Sequence, residues 1–361
     1  MKKVVIGMSG GVDSSVAAAL LKEQGYEVIG LTMRLWDGEE INGECHESTC
    51  CSHSAAEDAR FVCNKLGIEH FVLDFREDFK NYVIDYFVDE YKNGRTPNPC
   101  IACNKFLKFD AMLKRAELLG ADYVATGHYA KIEYNKDTNR YLLKKAASQA
   151  KDQTYALYSL TQEQLSKTLM PLGELKDKNE TREIAERLGL VTAKKPDSME
   201  ICFVPDNDYA GFIKRNSDSF PEEGNFVDTE GNIIGRHKGI VHYTIGQRKG
   251  LGIALGKHAF VLNKNANTNA VILGDEEHLF YKQVEVSGVN IIAADNLDGI
   301  CAAGKLRYRH QEQPCKIHQT AKNTVILEFD TPQRAPSPGQ AAVFYDGDVV
   351  LGGGIIVKGI K

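Results

Sequence analysis

Apolar positions in the first third of the chain follow two periods in turn. The short runs Val4–Met8, Val28–Met33, Phe71–Asp74 and Tyr123–Thr126 have the length and composition of strands buried in a sheet. Between them, Val12–Gln24, Ala55–Leu66, Phe79–Tyr91 and Phe106–Leu119 carry apolar residues at helical spacing, and Gly25, Gly67 and Gly120 mark helix stops. Strands alternating with helices predict an α/β layer with a parallel sheet covered on both faces. A hairpin of Tyr129–Glu133 and Tyr141–Lys145 turns around 135–139, and helices Gln162–Leu169 and Lys178–Leu188 follow. After about Pro205 the pattern shortens to β-rich runs separated by turn residues, with a clear alternation at Thr324–Phe329 and an Asp346-Gly347-Asp348 turn between apolar runs. The expected organisation is an α/β domain over 1–205, a small β-rich central domain over 206–278 and a C-terminal β-barrel over 279–361.

The length supports that division, because 361 residues exceed the ~250–300 at which one core stops growing. Hydrophobic residues at 43% and charged residues at 26% exclude wholesale disorder. A net charge of −5 excludes a globally basic nucleic-acid binder but leaves room for local basic strips. One strip runs from Arg236 to Lys249, with Lys238 and Arg248 and no acid. In another, Lys305, Arg307 and Arg309 alternate, which on a strand would put all three on one face. The start of the chain does not read as a signal peptide, and no apolar run reaches the ~18 residues of a membrane span. Nine cysteines in such a chain suggest a reducing, cytoplasmic setting, where clustered thiols serve metal or catalysis more often than structural disulfides.

Ser9-Gly10-Gly11-Val12-Asp13-Ser14-Ser15 lies between the first strand and the first helix. Glycines there let backbone amides approach an anion, the helix N-terminus adds a favourable dipole, and the serines add hydroxyl donors. Asp13 is out of place beside phosphate unless it orients magnesium or a backbone amide. The lysine of a Walker loop and the glycine spacing of a dinucleotide fold are both missing. The string, Gly7 to Ser14 in full, resembles the PP-loop of N-type ATP pyrophosphatases. The competing view is a plain strand-to-helix turn.

Cys100 and Cys103 form a Cys-x-x-Cys in Asn98-Pro99-Cys100-Ile101-Ala102-Cys103-Asn104, read as a loop that precedes a helix, where the dipole favours thiolate. No second Cys-x-x-Cys completes a zinc site. Cys45, Cys50 and Cys51 with His46 and His53 match no standard zinc spacing and read as loop thiols. Cys202 sits in Asp197-Ser198-Met199-Glu200-Ile201-Cys202-Phe203, and Cys63, Cys301 and Cys315 read as packing thiols.

Taken with Thr126-Gly127-His128-Tyr129, Lys151-Asp152-Gln153, Tyr243–Ile253 (YTIGQRKGLGI) and Arg307-Tyr308, these motifs make the whole chain resemble the bacterial tRNA-specific 2-thiouridylases. The resemblance implies adenylation of the C2 oxygen of uridine 34 in tRNA by ATP with Mg2+, then displacement of AMP by sulfur. It places Gly7, Met8, Ser9, Gly10, Gly11, Val12, Asp13, Ser14, Met33 and Gly127 at ATP. It makes Cys103 the nucleophile and Cys202 the persulfide carrier, loaded by a sulfur-relay protein or cysteine desulfurase, with a Cys103–Cys202 disulfide left after turnover. Asn98, Pro99 and Cys100 would face the target base, while His128, Lys151, Asp152, Gln153, Arg307, Tyr308 and Gln340 would meet the tRNA. Much of the family has aspartate at the position of Cys100. Its replacement opens a second scheme, in which Cys100, Cys103 and Cys202 hold an iron–sulfur cluster that delivers sulfide.

Two other functions compete. An amide-forming adenylating ligase would share the PP-loop but needs neither paired thiols nor a β-rich tail. A redox or metal-carrying protein would use Cys100 and Cys103 but leave the PP-loop unexplained.

Overall fold

The computed structural model describes residues 1–36, 54–197, 201–254, 256 and 258–361, together with the backbone of 40–41, 44–45 and 53. The possible zinc ligands Cys45, His46, Cys50, Cys51 and His53 therefore lie outside the described side chains, as do Ser198, Met199 and Glu200. The chain forms two compact units. One comprises Met1–Val83, Cys100–Asn207 and Asp348–Val350, and the other Ile84–Pro99, Asp208–Gly347 and Leu351–Lys361.

The first unit is built on five parallel strands. In chain order they are β1 (Lys3–Gly7), β2 (Glu27–Arg34), β3 (Glu69–Asp74), β4 (Tyr123–Ala125) and β5 (Thr168–Leu169), arranged 3-2-1-4-5 across the sheet. Val4, Val5 and Ile6 are fully buried, as a central strand covered on both faces requires. Helix α1 (Val12–Glu23) buries Val16, Ala17 and Leu21 in the same core as Val4 and Ile6. Because β2 and β4 flank β1 on opposite sides, the chain reverses direction across the sheet at β1. Such a switch point opens a crevice at the carboxyl ends of the strands, where ligands of this architecture bind.

Two local expectations fail here. Gln162–Leu169 is not one helix: Thr161 and Gln164 form a capping box, the helix ends at Ser166, and Thr168–Leu169 becomes β5 beside Val124 and Ala125. Two residues are too few to show a strand period. The helix expected from Phe106 starts seven residues earlier, with Pro99 in its first turn, where a missing N–H costs nothing. It runs to Leu118, and its Cys103–Ala111 stretch is π-helical. Cys100 and Cys103 thus sit within the helix rather than on a loop before it.

The second unit contains two β structures. Strands Gly224–Val227, Ile233–His237, Phe260–Asn265 and Ala270–Gly274 make a four-stranded sheet. Within it, on Phe260–Asn265, Lys264 is 7% exposed, donates to the Tyr243 carbonyl at 2.8 Å and lies 5.8 Å from the Tyr91 ring centre. Burial pushes its pKa down to about 8. From Phe280 onward, six antiparallel strands close into a barrel, with Phe280–Ile291 pairing both Thr324–Arg334 and Val349–Ile360. Val284, Ile317, Leu327, Phe329 and Phe344 fill its interior.

The basic strip at 305–309 is a third correction. The strand Cys301–Lys305 ends before Arg307, Leu306 turns inward, and 307–309 form a turn, so the three cations do not line one strand face. Arg307 instead donates to the Ala335 carbonyl at 2.7 Å and to the Ser337 hydroxyl at 3.1 Å. In the other strip His237 is buried, held by the Gly239 amide and the Asn269 carbonyl, while Arg236, Lys238, Arg248 and Lys249 are exposed.

Candidate active site

A cavity of about 180 Å³ lies at the switch point. Gly7, Met8 and Ser9 leave β1 into it, Leu31, Met33 and Leu35 project from β2 and the turn after it, and Thr126, Gly127 and His128 follow β4. Asp13, Ser14, Lys108, Met112 and Gln153 complete the wall. One side is aliphatic and thioether, suited to a flat base. The other is the glycine–serine loop at a helix N-terminus, suited to phosphate.

The loop geometry depends on absent side chains. Gly10 has φ +67°, and a Cβ there would stand 2.2 Å from the Ala55 carbonyl oxygen. A Cβ on Gly127 would come within 2.7 Å of the Ser14 amide nitrogen, so the turn after β4 and the start of α1 touch through backbone alone. Ser14 donates to the Gly11 carbonyl and accepts from the Ser9 amide, and Ser15 donates to Gly11 as well. These bonds shape the loop before any ligand arrives.

Asp13 does not point at an empty space. Tyr129 donates to it at 2.8 Å, and Lys178 contacts its two oxygens at 2.7 and 2.8 Å. Lys178 also pairs with Asp197 at 2.7 Å, and Asp197 receives Lys151 at 2.9 Å with Arg182 at 3.8 Å. Burial pushes the Asp197 carboxyl up, but hydrogen bonds from Lys178 and Lys151 outweigh it and hold the group below its ordinary value. Asp13 is held in place by Tyr129 and Lys178.

Gly7, Met8, Ser9, Asp13, Ser14, Met33 and Gly127 all line the cavity, while Gly10, Gly11 and Val12 shape it without facing it. Two residues expected at tRNA, His128 and Gln153, are also in its wall. His128 is buried, bonded to the Thr126 hydroxyl at 2.8 Å, and burial next to Lys108 drives its pKa well below the usual value. Gln153 accepts from the Tyr129 amide, and Asp152 accepts from the Ala146 amide and the Thr154 hydroxyl. Leu31 and Leu35 were legible as period-two neighbours of Met33. Thr126 lay in the Thr126–Tyr129 motif, while Met112 and Lys178 gave no signal in chemistry or spacing strong enough to place them.

Cys103 is 9% exposed in the first unit, and the next residue, Asn104, ties this helix to the Ala156 carbonyl at 3.0 Å. Cys100 is exposed and Cys202 half-buried. Among the described residues, no three His, Cys, Asp or Glu side chains converge as a metal-ligand set, so Cys100, Cys103 and Cys202 are not drawn together as cluster ligands. Cys63 and Cys315 are buried, and burial pushes both thiols up to about 12.

In the second unit, Gln340 donates to the carbonyls of Thr96 and Pro97 at 2.8 and 3.3 Å, and the Thr96 amide donates to Pro338 at 2.8 Å. Gly339, with φ +90°, leaves no room for a Cβ against Thr96. Arg307 holds the other end of that turn through Ala335 and Ser337. Arg307 and Gln340 thus brace the backbone that leads into Asn98 and Pro99, and Tyr308 is exposed beside Lys305.

Three family models match in series: a tRNA methyl transferase HUP domain over 2–206, a tRNA methyl transferase PRC-barrel domain over 211–275 and an aminomethyltransferase beta-barrel domain over 283–356. A tRNA-specific 2-thiouridylase MnmA of Clostridioides difficile is 57% identical, covering 99% of both chains. That of Lachnoclostridium phytofermentans is 55% identical over 99% of this chain and 100% of its own. That of Acetivibrio thermocellus is 56% identical over 98% and 99%. The chain belongs to the tRNA-specific 2-thiouridylase family. Its HUP-domain match spans the whole parallel sheet and the cavity at the switch point, together with Cys103 and Cys202.

Proposed function

We propose that this protein catalyses ATP-dependent 2-thiolation of uridine 34 in tRNA. The observation that carries the proposal is the preformed glycine–serine cradle, placed at a switch-point cavity in a chain that also bears Cys103 and Cys202. A pyrimidine carbonyl oxygen is a poor leaving group. Adenylation of O2, with pyrophosphate leaving, converts it into AMP. The PP-loop amides and hydroxyls and the helix dipole would receive the departing pyrophosphate. Leu31, Met33, Leu35 and Met112 would hold the adenine. Magnesium would arrive on the phosphates.

For sulfur we favour the persulfide on Cys202, since the described residues do not gather a ligand set for a cluster. The outer sulfur of the Cys202 persulfide attacks C2 and AMP departs. Cys103 thiolate then attacks the Cys202 sulfur and expels the thiolated base, leaving a Cys103–Cys202 disulfide for an external dithiol to reduce. If Cys103 attacks the persulfide first, it releases hydrosulfide, which displaces AMP instead. The electron count is the same. A cytoplasmic sulfur-relay protein or cysteine desulfurase would supply the persulfide. Of the chain segments, 1–205 would carry the chemistry, and 206–278 and 279–361 would hold tRNA, the latter through the turn that Arg307 and Gln340 brace.

The test is nucleoside analysis of tRNA from a strain lacking this gene, complemented with wild type, Cys103→Ala, Cys202→Ala or Cys100→Ala. The proposal expects 2-thiouridine to vanish in the deletion and to return with wild type but with neither Cys103→Ala nor Cys202→Ala. Undiminished 2-thiouridine in the deletion would overturn it. Loss with Cys100→Ala as well, accompanied by iron and acid-labile sulfide in anaerobically purified protein, would favour the cluster.

A further inference from the structure

The cavity at the switch point carries one lysine in its wall among the described residues, Lys108. His128 beside it is driven well below its usual pKa by burial and by that lysine, so it adds no charge at neutral pH, and the PP-loop itself contains no lysine. Lys178 is not part of the wall; its ammonium meets two oxygens of Asp13 and one of Asp197. A side-chain cation for a nucleotide in the cavity is therefore supplied by the helix of Cys103. Lys108 stands four residues before Met112, on the wall suited to a base rather than on the loop suited to phosphate. A lysine there reaches the first phosphate after the nucleoside before it reaches the other two.

The helix geometry adds a second observation. Residues 103–111 are π-helical, and the Met112 amide bonds to the Leu107 carbonyl, five residues back. Residues five apart in such a stretch lie one above the other, whereas an α-helix would turn them roughly 140° apart. Cys103 and Lys108 are five apart, so the π stretch brings them to one face of the helix. In an adenylated uridine, C2 and the α-phosphorus are joined through a single oxygen. Groups that serve those two atoms have to approach from one side, and one helix face meets that requirement.

We propose that Lys108 is a catalytic residue whose ammonium meets the α-phosphate of ATP and neutralises the charge that builds there during adenylation. The inference rests on the reading of the cavity as the adenylation site. In that step uridine O2 forms a bond to the α-phosphorus. The bond from that phosphorus to the bridging oxygen breaks, its electron pair leaves on pyrophosphate, and the uridine N3 proton passes to water. Charge concentrates on the α-phosphate oxygens while phosphorus is five-coordinate, and an ammonium fixed beside them stabilises that state more than the ground state.

The experiment is footprinting of full-length wild-type protein with acetic anhydride, with acetylation of Lys108 and Lys105 followed by mass spectrometry. Equilibrium dialysis sets equal occupancy for each ligand. AMP, which carries the α-phosphate alone, should slow acetylation of Lys108 by about tenfold or more, the effect of one charge-assisted hydrogen bond. Adenosine at the same occupancy should not, and the exposed Lys105 should react alike throughout. In single-turnover pyrophosphate release with tRNA at saturating ATP, Lys108→Met should be about 100- to 1,000-fold slower, the usual result of deleting one donor aimed at a developing charge. Lys108→Arg should recover most of that rate. Lys108 acetylated as fast with bound AMP as without it, or protected equally by adenosine, would overturn the assignment while leaving the nucleotide site intact. So would a Lys108→Met rate equal to that of wild type. Failure of wild type to bind ATP, or to release pyrophosphate with tRNA, would overturn the adenylation reading and this inference with it.

Discussion

Gln340 separates two accounts of how the second unit serves tRNA. Read from the family resemblance, it touches RNA. In the structure its amide donates to the carbonyls of Thr96 and Pro97, two residues before Asn98. Gln340→Ala removes both donors. The 2.8 Å bond is of full strength and the 3.3 Å bond is weak, so the loss is about 1–2 kcal/mol at typical net values. The neighbouring Thr96 amide, bonded to Pro338, opens with that turn. Its native-state hydrogen exchange should therefore accelerate about 5- to 30-fold in RNA-free protein. Gln340→Glu should be worse than alanine, because a carboxylate would face two carbonyl oxygens. Both effects require no RNA. If Thr96 exchanges at the wild-type rate in Gln340→Ala and only the KM for tRNA rises, the bracing argument is wrong and Gln340 acts on RNA directly.

Three more outcomes follow from geometry already described. Gly127→Ala pushes a methyl to within 2.7 Å of the Ser14 amide and should lower pyrophosphate release in a tRNA-dependent assay by roughly a hundredfold, the usual effect of misplacing a reacting group by about 1 Å; activity within twofold of wild type would show that the loop adapts. Burial lowers the Lys264 pKa from its ordinary value of 10.5 to about 8, so its folded state binds fewer protons than the unfolded chain between those values. Stability of the second unit should therefore rise with pH across that window, by about 3 kcal/mol in total. The difference in denaturation midpoint between wild type and Lys264→Met should narrow over the same range, and a constant difference would refute the assignment. His128, buried and driven well below its usual pKa, should stay neutral above pH 6, so His128→Gln should leave the shape of the pH–activity profile unchanged between pH 6 and 8. A lost inflection would mean that it titrates.

The parallel sheet was legible because β1, β2 and β4 rest on apolar runs flanked by glycine-stopped helices; β3 is a sheet edge, and Phe71 and Val72, expected to be buried, are exposed there. β5 was not, since two residues carry no period and only the edge of β4 defines them. The PP-loop was legible because glycines and serines in that order answer a backbone requirement. The ion pairs around it were not: Asp13 and Lys178 are 165 residues apart, and nothing local to either demands the other. The same limit explains Arg307. Its alternation with Lys305 and Arg309 fits a strand, but the buried Leu306 and the carbonyl of Ala335 pull the chain into a turn.

Cys63 and Cys315 acquire a meaning from the sulfur chemistry around them. With pKa values near 12 they hold roughly one part in 10⁵ as thiolate at neutral pH. In the proposed persulfide scheme, any other thiolate within reach could attack the persulfide and divert its sulfur. Burial leaves these two chemically deaf to that traffic. Under the proposed persulfide scheme, burial would keep both thiols out of the sulfur transfer.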